Sequence, residues 1–316
     1  MYFENHTINK LKSIAEFLKS SGRFFFQNYN IKIFLNFLEN DSEISIIINT
    51  LLSNNQHIKS KLNQLKNFEN FSLNAVRNEI KTYDEQVAYC LFYLKTALRE
   101  PNFINNFINP DTGIGAEERN KNIFFEECIK PIILYIELKL NYTLSAIYTL
   151  DRYKTLCEWF DRERILSLKG ELEITKSHLS RYLFNSGFFN YSLYETNVPS
   201  GRIDNLAIRV GYNDKRQPNI LLAEGKFFKD KSSIREVFNQ VEKRIRDLNL
   251  HEGFCVIFNK INKKIKMLNA TGNINGHNYI DINNARIYFI IINLNLYNSS
   301  VDNQIELEVN MNSLGT

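Results

Sequence analysis

Three side chains on two successive apolar segments are spaced so that they can act on the same reacting group. In Ile220-Leu221-Leu222-Ala223-Glu224-Gly225-Lys226-Phe227-Phe228 an apolar stretch ends in Glu-Gly-Lys. Side chains alternate along a strand, so Glu224 and Lys226 project from one face. Gly225 between them permits a close backbone approach or a bend. Upstream, Ser200-Gly201-Arg202-Ile203-Asp204-Asn205-Leu206-Ala207-Ile208 sets Asp204 just after a turn, on a strand whose Leu206 and Ile208 share its face. Antiparallel pairing of the two strands would bring Asp204 beside Glu224, and the connector over residues 211–219 is long enough to allow it. Two carboxylates converging at the end of a sheet suit Mg²⁺ (or Mn²⁺), which takes hard oxygen ligands and keeps several waters. Such a cation can activate a water and offset charge on a transferring phosphate. A lysine beside it can orient that water and add positive charge. Without a cation, two desolvated carboxylates side by side are costly.

Other elements must hold these residues in place. The first half reads as helical: 8–20, 31–38, 43–52, 84–98 and 117–140 carry apolar residues at helical spacing, such as Val87, Cys90, Leu91, Leu94 and Leu98. Residues 101–116, with Pro101, Pro110, Gly113 and Gly115, read as a loop. A helical stretch from about 153 to 185 stops near Gly187. Tyr191–Val198 precedes the Pro199-Ser200-Gly201 turn, and Arg202–Val210 and Ile220–Phe227 follow as strands. A helix over 232–249, a strand Gly253–Phe258, short hairpin-like segments and a strand Arg286–Leu296 complete the chain. The order implies an α+β or α/β fold: an all-helical N-terminal region over 1–155, then a mixed β-sheet core flanked by helices over 156–316.

Composition narrows the function classes. The 316 residues are 44% hydrophobic and 13% aromatic, enough for a sizeable core, and the 23% charged fraction argues against wholesale disorder. The formal net charge of +4 permits a nucleic-acid partner without demanding one. Cys90, Cys128, Cys157 and Cys255 are widely separated with no CxxC, so reduced buried thiols in a cytoplasm are expected rather than a zinc site or disulfide framework. The N-terminus shows no secretory signal pattern and no run has the length of a membrane span, so no membrane partner is expected.

With Asp204 on one strand, Glu224-Gly225-Lys226 on the next and Gln240 in the helix that follows, the C-terminal half resembles the PD-(D/E)XK nuclease superfamily over about residues 165–260. The pattern of that family is a helical Glu, an Asp strand, a (Asp/Glu)-x-Lys strand and a helix that often carries Gln. Ile203 precedes Asp204 where the family frequently has Pro. The helical acid falls on Glu171 or Glu173, with Glu173 preferred for its spacing to Leu179 and Leu183, and Glu195 is a third candidate. The resemblance implies a restriction-endonuclease-like fold and metal-dependent hydrolysis of phosphodiester bonds. Asp204, Glu224 and Glu173 would hold Mg²⁺ or Mn²⁺, Lys226 would assist the water, and Gln240 would belong to the site. DNA is the preferred substrate, with RNA left open. A homodimer, an activating protein partner and a role in bacterial restriction or anti-phage defence are what the analogy suggests. The alternative is a catalytically silent module of the same fold that binds nucleic acid or protein.

Two other segments offer rival readings. Pro110-Asp111 with Glu137-Leu138-Lys139 matches the motif name more literally, but 117–140 has helical periodicity. Glu137 and Lys139 would then lie about 200° apart around a helix. Arg246 and His251 have the Arg-x4-His spacing of the HEPN class of metal-independent ribonucleases, in which histidine serves as acid or base. That class carries its motif in an all-α bundle, whereas His251 falls where a helix gives way to a strand. Lys226, Lys229, Lys231, Arg235, Lys243, Arg244 and Arg246 are read as a solvated helix face or a phosphate-tracking rim. Tyr182, Phe188, Phe189, Tyr191 and Tyr194 are expected mostly in the core, with stacking on bases as the functional alternative.

Overall fold

In the computed structural model, residues 6–20, 29–65, 80–98, 116–209, 219–261, 263–295 and 305–310 are described. The chain divides into two compact units, one ending at Asn141 and the other beginning at Tyr142. The first unit is helical: α1 His6–Ser20, α2 Tyr29–Asn40, α3 Ser42–Asn54, α4 Gln56–Leu65, α5 Tyr83–Ala97 and α6 Ala116–Phe124, which continues through a π-helical turn into α7 Lys130–Thr155, whose residues from Tyr142 onward belong to the second unit. Its periodic apolar residues face one another as expected: Leu11 and Leu18, Phe34 and Leu38, Ile47 and Leu51, Val87 and Leu91, and Cys128 and Ile132 all enter one core. Local chemistry sets the helix starts. The Asp41 carboxylate accepts from the amides of Glu43 and Ile44, and Thr82 and Glu85 form a reciprocal capping box. The expected loop over 101–116 falls almost wholly outside the described residues, as do Asp111 and the connector after Arg209. Glu137 and Lys139 lie in α7, as the helical reading requires.

The second unit is a seven-stranded mixed sheet in the order β1-β2-β3-β4-β8-β7-β6. Its strands are β1 Tyr191–Val198, β2 Gly201–Arg209, β3 Asn219–Phe228, β4 Glu252–Asn259, β6 Gly272–Ile274, β7 His277–Ile282 and β8 Ala285–Asn293. β1, β2 and β3 form an antiparallel meander, β3–β4 and β4–β8 are parallel, and β8–β7–β6 are antiparallel. β5 Lys263–Leu268 and β9 Ile305–Asn310 pair parallel in a separate two-stranded sheet. β4 has parallel neighbours on both sides and is buried at every position, so its sequence shows no polar alternation.

Each face of the sheet is covered. Helix α11, Lys231–Leu248, connects β3 to β4 and buries Ile234, Val237, Phe238, Val241 and Ile245 against Leu222, Cys255, Ile257 and Phe289. Asp230 caps its start and Asn249, at φ 51°, ends it in the left-handed region. The opposite face carries Ala223, Phe254, Val256 and Phe258 under Tyr153, Cys157, Ile174 and Leu183. All four cysteines are free and buried. Among the described residues no helix is long and apolar enough to cross a membrane.

The stretch expected as one helix from about 153 to 185 is broken. α7 runs through a π-helical segment to Phe160, α8 spans Arg162–Ser167, and the backbone turns extended at Leu168 and Gly170 before α9, Glu171–Glu173. α9 continues through a π-helical segment Ile174–Leu179 into α10, Ser180–Asn185. The break is held from far along the chain, because the Lys260 ammonium donates to the carbonyls of Leu168 at 2.7 Å and Leu166 at 3.5 Å. Gly187, at φ 72°, stops the helix where the sequence suggested.

Phe238 is fully buried and its ring stacks on Phe289 with centroids 6.2 Å apart. Phe238→Ala is expected to lower unfolding free energy by about 3–5 kcal/mol in denaturant melts. Phe160→Ala, at a ring 79% exposed, should change it by less than about 0.5 kcal/mol.

Candidate active site

β2 and β3 pair Asn205 with Ala223 and Leu206 with Leu222, which sets Asp204 across from Glu224. The Asp204 amide donates toward Glu224 Oε2 at 3.4 Å, and the Gly225 amide donates to Asp204 Oδ2 at 3.0 Å. One detail departs from strict alternation. Ile203, Leu206 and Ile208 all pack into the core on the α11 side, so the pleat slips at Asp204-Asn205. Opposite the slip, the β1–β2 ladder is interrupted between Tyr194↔Asn205 and Thr196↔Ile203, where Glu195 has φ 50°. An irregular residue in one strand re-aims its neighbour across the ladder.

The sheet therefore brings Asp204, Glu224 and Lys226 together. Lys226 Nζ lies 3.2 Å from Glu171 Oε2 and 3.0 Å from Glu236 Oε1. Glu171 Oε1 accepts from the Phe227 amide at 3.3 Å, so one carboxylate binds both the β3 backbone and the lysine. Of the two candidate acids on α9, Glu171 is the one that contacts Lys226 and β3, while the preferred Glu173 does not. Glu173 is exposed, and its described contact is through its backbone carbonyl, which accepts from Ser177 Oγ. Two residues along a helix turn by about 200°, so only one of the two glutamates can face β3. The extended Gly170 fixes that one as Glu171.

Gln240 is half-buried on α11, between Glu236 and Arg244. At about 100° per residue, positions 236, 240 and 244 form one stripe. Its upper member holds Lys226 and its lower member holds Glu224. Sequence reasoning missed Glu236 and placed Arg244 only in a basic rim, although this spacing was the signal for both. Arg244 is buried, with Nε 3.5 Å from Glu224 Oε1. It also donates to the Arg202 carbonyl at 3.2 and 2.7 Å and to the Ser200 carbonyl at 2.9 Å. Asp247 accepts from the Ser200 amide at 2.8 Å. The β1–β2 turn is therefore clamped to α11 just before Asp204. Gly201, at φ 127°, allows it: a Cβ there would lie 3.1 Å from Arg244 Nη2.

The electrostatics follow from burial. Glu224 is only 2% exposed, and burial together with the Asp204 charge pushes its carboxyl up to about 8, against the pull of Arg244. Burial also raises Asp204, opposed by the Gly225 amide. Burial alone would lower Lys226, but its hydrogen bonds to Glu236 and Glu171 outweigh that and raise it. Glu224 Oε1 is buried without a hydrogen-bond partner, and so are both amide atoms of the neighbouring Asn205. That Glu224 oxygen is the one facing Arg244, whereas Oε2 lies toward Asp204, and a hard cation between Asp204 and Glu224 would relieve the repulsion of the pair. Among the described residues no group of three or more His, Cys, Asp or Glu converges tightly enough to cage a metal. A cation here would keep most of its waters, as Mg²⁺ commonly does.

The rivals fall elsewhere. Arg246 pairs with Glu242 at 3.8 Å, and His251 sits 4.0 Å from Glu252 where α11 gives way to β4, within a sheet rather than a helical bundle. Lys229, Lys231, Arg235, Lys243 and Arg246 are exposed, whereas Arg244 is not. The aromatic group divides: Phe189 is buried, Tyr182 and Phe188 are half-buried, and Tyr191 and Tyr194 are exposed. Compared with family models, curated proteins and solved structures, the chain matches none.

Two measurements follow from this geometry. A Cβ on Gly225 would lie 2.3 Å from Thr175 Cγ2, with its next neighbour at an ordinary 3.5 Å. Gly225→Ala should cost about 1–3 kcal/mol of stability, and adding Thr175→Ser, which deletes that methyl, should recover most of it. Glu224 is raised in the folded state, so its contribution is fully present below its unfolded value and is lost as pH rises through about 8. In EDTA, the melting temperature of Glu224→Gln should therefore gain on wild type between pH 5 and pH 9. A gap that stays constant or narrows would contradict the buried-pair account.

Proposed function

We propose that this protein is a nuclease that hydrolyses phosphodiester bonds with Mg²⁺ or Mn²⁺, with DNA as the preferred substrate. The observation that carries the reading is the pairing of half-buried Asp204 with buried Glu224, with Lys226 two residues beyond Glu224 on the same strand. The succession of a helix bearing Glu171, the strands bearing Asp204 and Glu224-Gly225-Lys226, and a helix bearing Gln240 supports the resemblance to PD-(D/E)XK nucleases. In this reading Glu171, which touches Lys226, is the helical acid rather than Glu173.

Asp204 and Glu224 would hold the cation, which when bound supplies positive charge for a phosphate and a more acidic water. The protein's own groups do the positioning. Glu171 and Glu236 hold the Lys226 ammonium from two sides and keep it protonated, so that it can orient the attacking water and offset charge on phosphate oxygens. Arg244 keeps Glu224 in place from behind and fixes the turn that leads into Asp204. Gln240, between Glu236 and Arg244, has the right level on α11 to bond a water or a phosphate oxygen.

One observation favours the silent-module alternative. Lys226 is ion-paired twice and Arg244 already stands 3.5 Å from Glu224, so much of the site's charge is balanced without a metal.

Cleavage of plasmid, single-stranded DNA and RNA in Mg²⁺, Mn²⁺ and EDTA separates the two readings. Wild type should cut only with metal. Glu224→Ala and Lys226→Ala should each lose on the order of 10²-fold or more while keeping a cooperative melting transition. Glu171→Gln should also lose activity, whereas Glu173→Gln should stay within about threefold of wild type. Cutting that persists in EDTA or in the Glu224 variant would rule out this site, and absence of cutting together with retained nucleic-acid binding would favour the silent module.

A further inference from the structure

Among the described residues six non-glycine positions have positive φ, and five of them are asparagines, whose short side chain tolerates that region. The sixth is Glu195, at φ 50° in the middle of β1. A long side chain in that conformation is uncommon and costs backbone strain. What the conformation accomplishes is a specific placement. Glu195 Oε2 lies 3.7 Å from Lys176 Nζ, and Glu195 Oε1 lies 3.4 Å from Arg202 Nη1. One carboxylate thus bridges two cations, one per oxygen. The Lys176 ammonium also lies 4.8 Å from the centre of the Tyr194 ring, which remains 47% exposed. The register sets Glu195 beside Asp204, one strand spacing away.

We propose that Lys176, Arg202 and Tyr194 form a subsite for one strand of nucleic acid, and that Glu195 occupies its phosphate position when the strand is absent. The inference rests on the nucleic-acid part of the preceding proposal and is independent of cleavage. A phosphate presents two or more anionic oxygens, so it can bridge the same two cations that the carboxylate bridges. The two ion pairs are long and partly solvated, and Arg202 is largely exposed, so exchanging them for a phosphate costs little. The Tyr194 ring then offers an apolar face to the adjoining base. That requirement selects an unpaired or splayed strand, since bases within a duplex are already stacked. Glu195 sets a threshold: a strand must outcompete a tethered carboxylate, which neutral ligands and weak anions do not.

The test is binding of a labelled single-stranded DNA oligonucleotide by fluorescence anisotropy in EDTA, where metal-dependent cutting is blocked. Lys176→Ala with Arg202→Ala should weaken binding about tenfold or more and reduce the slope of log K against log salt by about 0.7, one phosphate's worth for a single strand. Tyr194→Ala should weaken it roughly tenfold. Glu195→Gln, which keeps the shape and removes the competing charge, should tighten binding several-fold. Unchanged melting temperatures would show that the variants fold. Wild-type binding that is indifferent to all these changes, or no binding by wild type, overturns the subsite. A wild type that binds in this pattern and never cuts with any metal overturns the nuclease proposal and leaves the subsite standing.

Discussion

Two carboxylates side by side on neighbouring strands, Glu224 buried and Asp204 half-buried, are the constraint around which the second unit is arranged. Asp204 and Glu224 repel one another and have lost most of their hydration. The chain answers with fixed donors rather than with solvent. The Gly225 amide binds one carboxylate, the Asp204 amide points at the other, and Arg244 stands behind Glu224. Each donor depends on an element being where it is. The Gly225 amide needs the β2–β3 register, and Arg244 needs α11 to lie back along β3. Glu171 and Glu236 then hold Lys226 beside the pair, one from each layer that covers the sheet.

Much of this was legible because strands and helices have short periods. Alternation on β3 placed Glu224 and Lys226 together, and the Pro199-Ser200-Gly201 turn placed Asp204 at the start of the next strand. Helical spacing likewise found the N-terminal helices and their buried stripes. The misreadings have long-range causes. The choice between Glu171 and Glu173 depends on where α9 begins, and that start is fixed by a lysine 92 residues away that takes up the Leu168 carbonyl. Arg244 looked like one basic residue among several, because its hydrogen-bond acceptors lie on a turn more than forty residues upstream. The slip of the pleat at Asp204 depends on Glu195, in a different strand.

The two glutamates of the lysine's cage illustrate how a weak local signal gains meaning from topology. Glu236 is one of many charged residues on an amphipathic helix, and nothing in its neighbours distinguishes it. Its role appears only when α11 is laid along β3, so that the stripe through Glu236, Gln240 and Arg244 runs parallel to the stripe through Lys226 and Glu224.

That stripe gives α11 a mechanical character. The same rigid rod that buries Val237 and Val241 in the core carries Glu236, Gln240 and Arg244 along its flank. A small roll of the rod about its long axis would displace all three in the same sense, loosening the grip on Lys226 and on Glu224 in one stroke. The site is therefore geared to the core: the tightness with which α11 is seated sets the spacing of the charges at the end of β3.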